Sequence, residues 1–422
     1  MDAFRSELQQ AAGEVEKEQR TVPGAVVLSS DREKTFEIRE AFGSQSLEAD
    51  KPRFDLDSAF WVASCTKLPT TVAALQLVEQ NLVDLDEDIT RVLPEWRSPH
   101  ILKGFDGDTG EPILKPSTKK MTLRHLLTHS AGMCYGDFSP EARAYKKAIS
   151  KSLNQESILE ETSLLPLLYE PGDGWRYSDS LAWAGVVVER VSGEEHLEDY
   201  MEKHIWGPLG MKMTTFYAEL REDVKSRLVP MFERQAEGGL GISTFNTIGL
   251  RFDTGGSGMF TTPTDYVKLL SALLQNDRVL LKSETVNLMF TPQLPDSKYL
   301  DEVLARMPPD FKAAFLSGIP EDSKVNWGLG GLLALEDVPE KRKRGTLSWS
   351  GMPNLFWVFT TISLRLVPQI ILFTSLQWID PASGVYGYYA AQIFPFGDVP
   401  TVELYHKFEK AAYEELKNRS RQ

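Results

Sequence analysis

Residues 60–80 read FWVASCTKLPTTVAALQLVEQ, and the organisation of the rest of the chain follows from this stretch. Its first residues, Phe60 to Ala63, begin with two aromatic residues and a valine, which is typical of a short strand. From about Ser64 to Asn81 the sequence predicts a long and largely apolar helix. A helix that is apolar on most sides has to be buried, so we expect this one near the centre of the molecule.

Strand-like runs flank this helix along the chain. Two precede it and three lie in the last hundred residues: Gly24–Ser29, Thr35–Ala41, Gly328–Leu335, Gly345–Trp357 and Gly384–Ile393. The middle of the chain has helical periods broken by long loops, and a helix is expected at each terminus. We therefore predict one sheet built from both ends, with residues 1–94 and 324–422 forming a discontinuous α/β domain and residues 95–323 a mostly helical one.

The composition excludes several classes of protein. The 422 residues include 46 Lys and Arg against 60 Asp and Glu, a net charge of −14 that argues against nucleic acid as the main partner. Two cysteines, Cys65 and Cys134, cannot build a disulfide framework, which fits a reducing compartment. The first twenty residues do not have the pattern of a secretory signal, so we expect a cytoplasmic protein. The apolar run 358–377 contains Arg365 and Pro368, which favours strands over a membrane helix.

The best candidate for a nucleophile is Ser64 in Ser64-Cys65-Thr66-Lys67. Spacing of three residues on a helix places Ser64 and Lys67 on one face. A lysine can act as the base that a serine hydroxyl needs if burial lowers its pKa. The same spacing recurs at Ser117 and Lys120, but in a polar loop. The alternative for Ser64 is a serine that only caps the helix.

A third polar group is expected to relay the proton, and two Tyr-Xaa-Asp triplets are candidates. They begin at Tyr135 and Tyr177, and the second follows a Pro-Gly turn that can present a side chain into a cleft. Either tyrosine could instead be a core aromatic. His125 and His129 have the spacing of metal ligands, but apolar residues fill most positions between them, which favours packing. The chain contains no dinucleotide or Walker loop, and we predict neither a metal nor a cofactor.

Six segments together resemble the serine β-lactamase-like esterases and acyltransferases, and among these the fungal transesterases of lovastatin-type pathways. They occur in the family's order between Phe60 and Trp357: FWVASCTKLPTTVAALQLVEQ, MTLRHLLTHSAGM, YEPGDGWRYSDSLAWAGVVVERVSG, GGSGMFTTPTDYVKLLSALL, WGLGGLL and LSWSGMPNLFW. The resemblance implies a β-lactamase/transpeptidase-like fold with an antiparallel sheet and the active site in a cleft between the two domains.

The resemblance also implies roles for individual residues. Ser64 would be the acylated nucleophile, and Lys67 and Tyr177 would share the work of the general base. The backbone N–H groups of Ser64 and Met352 would form the oxyanion hole. Trp349-Ser350-Gly351 would be the third family motif, on the strand beside the cleft, and would contact the substrate together with Asp179.

Two departures from the β-lactamases bear on the substrate. Trp349 supplies no cation for a β-lactam carboxylate, and Asp179 stands where β-lactamases have asparagine, so antibiotic hydrolysis should be poor. Trp349 offers an apolar wall suited to a bulky ester. We therefore expect transfer of an acyl group from an ester or thioester donor, which could be carrier-bound, to an alcohol in fungal secondary metabolism. Hydrolysis at the same site is the alternative, and a non-catalytic binding module is the remote one.

The run Val358 to Gln377 interrupts the resemblance. Without it, Trp357 is followed directly by Trp378, and the sequence PNLFWWIDPASGVYG forms a plausible hairpin. Val and Gln can be encoded by codons that carry the GT and AG of intron ends. We hypothesise that these twenty residues are a retained intron, the alternative being a real strand extension or lid.

Overall fold

The fold is seen in a computed structural model that describes residues 1–14, 20–48, 52–136, 139–149, 163–245, 254–351, 375–395 and 397–419. Within these ranges the strands are β1 (Gly24–Asp31), β2 (Glu37–Gly43), β3 (Phe60–Trp61), β4 (His100–Phe105), β5 (Pro112–Pro116), β6 (Phe232–Arg234), β7 (Leu240–Ile242), β8 (Phe260–Thr261), β9 (Val325–Trp327), β10 (Leu332–Ala334), β11 (Leu347–Gly351), β12 (Ser375–Asp380), β13 (Val385–Ala390) and β14 (Ile393–Phe394).

Seven strands form the main sheet in the order β2-β1-β13-β12-β11-β10-β9. Every neighbouring pair is antiparallel, and the two ends of the chain meet where Val26 of β1 lies opposite Ala390 of β13. The predicted sheet built from both termini is therefore confirmed.

Helices cover both faces of this sheet, and the alternation of side chains along each strand assigns each residue to one face. Trp378 of β12 packs with the terminal helices Asp2–Ala11 and Val399–Arg419, and its ring lies 5.5 Å from that of Phe408. The next residue, Ile379, belongs to the core on the opposite face. There the helix Pro263–Gln275 covers the sheet, and Tyr266 stacks on Tyr388 with ring centroids 4.7 Å apart.

The remaining helices lie mostly between β3 and β9. Their bounds are Lys67–Glu79, Leu123–Leu127, Pro140–Ala148, Ser180–Ser192, Leu197–Met201, Gly207–Leu209, Glu222–Lys225, Ser283–Met289, Lys298–Arg306 and Pro309–Phe315, with a π-helical segment at Glu202–Trp206 and 3₁₀ turns at Ala63–Thr66, Ile89–Arg91, Pro94–Trp96 and Ala218–Leu220. Pro263–Gln275 lies within the segment 95–323 and yet packs on the sheet, and the domain boundaries at 94 and 323 stay a prediction.

The central helix has the predicted place but a different start. Ala63–Thr66 forms a 3₁₀ turn, and the α-helix runs from Lys67 to Glu79 with buried residues up to Leu77. Pro69 consequently lies in the first α-helical turn, where its missing N–H costs no hydrogen bond. The helix packs against Ser180–Ser192.

Of the run 358–377, only residues 375–377 lie among the described residues, at the start of β12. They pair with β11, where Gln377 lies opposite Trp349 and Leu376 opposite Ser350. The rest of the run and Met352 lie outside the described residues. No helix within the described ranges has both the length and the apolar character needed to cross a membrane.

Candidate active site

Ser64 lies in the 3₁₀ turn that precedes the central helix, and only 5% of it is exposed. The residue before it, Ala63, has φ of +42°, a left-handed conformation that costs a non-glycine residue about 1–3 kcal/mol. The hydroxyl of Thr66 donates a 2.6 Å hydrogen bond to the Ala63 carbonyl and closes the turn. Ser64 is therefore presented by a tight and strained turn.

The residues after position 254 hold this turn in place. The Val62 N–H donates to the Met259 carbonyl at 3.0 Å, and the Met259 N–H donates to the Thr66 hydroxyl at 3.1 Å. The Tyr266 hydroxyl donates to the Cys65 carbonyl at 2.8 Å. These bonds from outside the helix compensate for the strain at Ala63.

Strand β11 approaches the turn from the other side. A Cβ on Gly351 would lie 2.2 Å from the Val62 carbonyl oxygen, so only glycine fits there. Trp349 and Ser350 precede it and are 3% and 2% exposed. The structure thus brings the Trp349-Ser350-Gly351 motif against the Ser64 turn.

Lys67 is 2% exposed, and its Nζ lies 3.0 Å from the Ser64 Oγ. The same Nζ donates to the Gly256 carbonyl at 2.6 Å and lies 3.3 Å from the Tyr135 hydroxyl. Burial lowers the pKa of Lys67 to about 7, and the nearby charge of Asp179 opposes this shift. The lysine can therefore be neutral near pH 7 and accept a proton from Ser64.

Tyr177 packs against Lys67, with the Nζ 4.8 Å from the centre of its ring. The indole N–H of Trp349 donates to the Tyr177 hydroxyl at 3.1 Å. Burial raises the pKa of Tyr177, while hydrogen bonds with Ser64 and Trp349 counteract the rise. The phenol therefore stays protonated, which suits a group that passes a proton on from a neutral hydroxyl.

Two contacts of Lys67 involve groups that the sequence analysis did not assign to the site. Tyr135, in the first Tyr-Xaa-Asp triplet, is 8% exposed, and its ring lies 5.7 Å from that of Tyr177. Burial raises its pKa well above the ordinary value. The triplet was a signal for Tyr135. The Gly256 carbonyl could not be predicted from residue type, because every residue has a backbone carbonyl. The glycine-rich run 255–258 was the one local feature that marked this segment.

An aromatic cluster backs the site. The ring of Trp349 lies 4.7 Å from that of Trp327 and 4.9 Å from that of Phe315, both nearly perpendicular to it. Trp175 packs on Trp327 at 5.3 Å. Because these rings nearly cover Trp349, most of its surface is in packing contacts, and its N–H is bound to the Tyr177 hydroxyl.

Two other predicted candidates, the second Ser-Lys copy and the histidine pair, do not form a second catalytic pair or a metal site among the described residues. The Ser117 hydroxyl donates to a Glu170 carboxylate oxygen at 2.6 Å in an exposed loop. The His125 Nδ1 accepts the N–H of Thr122 at the start of its helix, whereas His129 is bound to the segment around Tyr177. Among the described residues, no group of three or more His, Cys, Asp or Glu is placed to hold a metal ion.

The antiparallel sheet and the buried Ser-Lys pair at the start of the central helix define the serine β-lactamase-like class of proteins. The family model described as Beta-lactamase matches residues 7–390, and the chain belongs to that family. The predicted resemblance is thereby confirmed.

Relatives place the chain among the acyltransferases and esterases of the family. Monacolin J acid methylbutanoyltransferase of Aspergillus terreus is 32% identical over 404 residues, which is 93% of this chain and 92% of the relative. Lovastatin esterase of Penicillium rubens is 38% identical over 343 residues, 80% and 85% of the two chains. A mutant of the simvastatin synthase from Aspergillus terreus superposes with a TM-score of 0.85 at 31% identity, covering 98% of this chain and 95% of that one. The protein is a serine acyltransferase or esterase of this family.

Proposed function

We propose that the protein transfers an acyl group from a thioester or ester donor to an alcohol through an acyl-enzyme on Ser64. The observation that carries this proposal is the buried Lys67, whose Nζ lies 3.0 Å from the Ser64 Oγ and whose pKa is about 7. A lysine of ordinary pKa would be protonated at neutral pH and could not take the serine proton.

The two half-reactions use the same groups. Lys67, together with Tyr177, takes the proton of Ser64 while the Oγ attacks the donor carbonyl carbon. We assign the negative charge on the carbonyl oxygen to the backbone N–H groups of Ser64 and Met352, as the family resemblance implies. Collapse breaks the bond to the leaving group, which receives the proton. The acceptor alcohol then loses its proton to the same base and attacks the acyl-enzyme, and Ser64 recovers its proton as the new ester leaves.

The charges around the site argue against a substrate that is held by its carboxylate. Trp349, Ser350 and Gly351 replace the cationic motif that holds a β-lactam carboxylate, and Asp179 adds a negative charge 6% exposed beside Lys67. The relatives' names specify a methylbutanoyl group, monacolin J acid and lovastatin. We propose that the donor carries a small branched acyl group and that the acceptor is a secondary metabolite alcohol similar to the compounds in these names.

Transfer and hydrolysis can be separated with a methylbutanoyl thioester offered with and without a polyketide alcohol. We expect a new ester when the alcohol is present and a matching decrease in free acid, since the alcohol competes with water for the acyl-enzyme. Mass spectrometry of the products measures both. Free acid formed at the same rate in both reactions, with no ester, would establish the esterase alternative, which the relative Lovastatin esterase supports.

We also propose that residues 358–377 are absent from the native protein. Gln377, the last of them, is 3% exposed in the core, and its amide oxygen has no hydrogen-bond partner within the described ranges. A buried polar atom left unpaired costs about 1–3 kcal/mol. In the shortened chain Trp357 precedes Trp378 in place of this glutamine.

We expect the spliced transcript to lack these twenty codons. We also expect the shortened protein to unfold several degrees higher than the 422-residue chain, because the unpaired amide oxygen is gone. Sequencing the transcript and comparing apparent Tm values at one scan rate measure the two. A mature message that still encodes 358–377, or a shortened chain that is less stable, contradicts the proposal.

A further inference from the structure

His129 is fully buried and carries an unusual backbone conformation for its size. It follows the helix Leu123–Leu127 with φ of +57°, in the left-handed region, and its side chain is enclosed at 0% exposure. Strain of this kind persists where surrounding contacts require it, and it clusters at functional sites. The mechanism above assigns His129 no task.

The contacts of His129 bracket Tyr177 along the chain. The N–H of Arg176 donates to the His129 carbonyl at 3.0 Å. The N–H of Ser178 donates to the His129 Nδ1 at 3.3 Å. The residues before and after Tyr177 are thus both bound to one residue.

Tyr177 lies in a segment without helix or strand, between the turn at Pro171 and the helix that begins at Ser180. Buried backbone N–H groups in such a segment have no ladder and need other acceptors. His129 supplies two of them, and its ring also lies under the phenol, with centroids 4.5 Å apart. The direction of the Tyr177 hydroxyl therefore depends on the His129 ring and on the two hydrogen bonds that His129 accepts from the neighbouring backbone.

The ring can do this only in one protonation state. Nδ1 must keep its lone pair to accept the Ser178 N–H, and the Ser180 Oγ lies 3.0 Å from the same atom. This acceptor role requires the proton on Nε2, an atom that is buried and has no hydrogen-bond partner among the described residues. Burial, together with the charge of Lys67, lowers the pKa of His129 well below its ordinary value and keeps the ring neutral.

We propose that His129 is a positioning residue that aims the Tyr177 hydroxyl at Ser64 through these two backbone hydrogen bonds. The inference rests on the proposed function, in which Tyr177 shares the proton transfer. It assigns the second histidine of the pair a role in orienting the base.

Two variants separate the hydrogen bond from the ring. His129→Asn keeps an acceptor near the Nδ1 position and tolerates the left-handed backbone, whereas His129→Phe keeps a ring and loses the acceptor. We expect His129→Phe to lower the rate constant of Ser64 acylation about 10- to 100-fold, with the donor concentration for half-saturation changed less than about twofold. His129→Asn should stay within about fivefold of the wild type.

Rapid-quench mass spectrometry of the Ser64 adduct, with the methylbutanoyl thioester as donor, measures both constants. His125→Phe is the matched control, since its Nδ1 caps the helix instead, and it should acylate at the wild-type rate even if it is less stable. Wild-type acylation in His129→Phe, or an Asn variant as slow as the Phe variant, overturns the inference. A wild type that forms no adduct contradicts the proposed function instead.

A measurement on the wild type keeps the inference testable if the Phe variant does not fold. Nitrogen-15 NMR of labelled histidine reports the tautomer of each ring. We expect the histidine whose signals are absent in His129→Asn to remain neutral with its proton on Nε2 between about pH 5 and pH 8. A proton on Nδ1 of His129 excludes the Ser178 hydrogen bond and overturns the inference.

Discussion

Ser64→Ala is expected to abolish the acyl-enzyme and to lower acyl transfer by about 10⁴-fold or more. The hydroxyl that the variant lacks is the only group we assign to covalent chemistry, and Ala at this position leaves the turn's other hydrogen bonds in place. Intact-protein mass spectrometry after incubation with an activated ester measures the adduct, and product formation measures the transfer.

The chain contains its own control for this variant. Ser117 has the same spacing to a lysine as Ser64, but its hydroxyl donates to Glu170 in an exposed loop. Ser117→Ala should acylate at the wild-type rate. An adduct that persists in Ser64→Ala would place the nucleophile elsewhere. A folded wild type without any adduct would favour the binding module over an enzyme.

The sheet could be predicted because the local residue composition of its strands is typical of β-structure. The valines of β1 and the valine and tyrosines of β13 have strand composition on their own, and the resemblance placed them in one sheet. The residue at which the central helix starts could not be predicted in the same way. The 3₁₀ turn at Ala63 depends on hydrogen bonds from Met259 and Tyr266, which lie about two hundred residues away and leave no local pattern.

The candidate site divides in the same way. The Ser64 and Lys67 pair was predictable because residues three apart lie on one face both in an α-helix and in the 3₁₀ turn that contains Ser64. Tyr135, the Gly256 carbonyl and His129 come from distant parts of the chain, and no spacing relates them to Ser64. Either tyrosine fitted the same triplet. Only the fold shows that Tyr135 lies near the Lys67 Nζ, at 3.3 Å, while Tyr177 takes the side of Trp349.

Lys67→Met is expected to lower the rate of Ser64 acylation about 10³-fold. Methionine has a similar length, fills the same buried space and brings no charge to a position that is only 2% exposed, so the variant should fold. The loss therefore reports the missing base. Lys120→Met, in the second Ser-Lys copy, is the matched control and should behave as the wild type.

The pH dependence of the acylation rate identifies the base more specifically than the size of the rate decrease in Lys67→Met does. Acylation by the wild type should rise through about pH 7, where Lys67 loses its proton. The negative charge of Asp179 raises the pKa of Lys67, so Asp179→Asn lowers it and should move the rise to lower pH, by about one pH unit. Lys67→Met should show no rise in this range. If the wild-type profile is flat near pH 7, or if Asp179→Asn moves the rise upward, Lys67 does not act as the base, because its neutral form would then not limit the reaction.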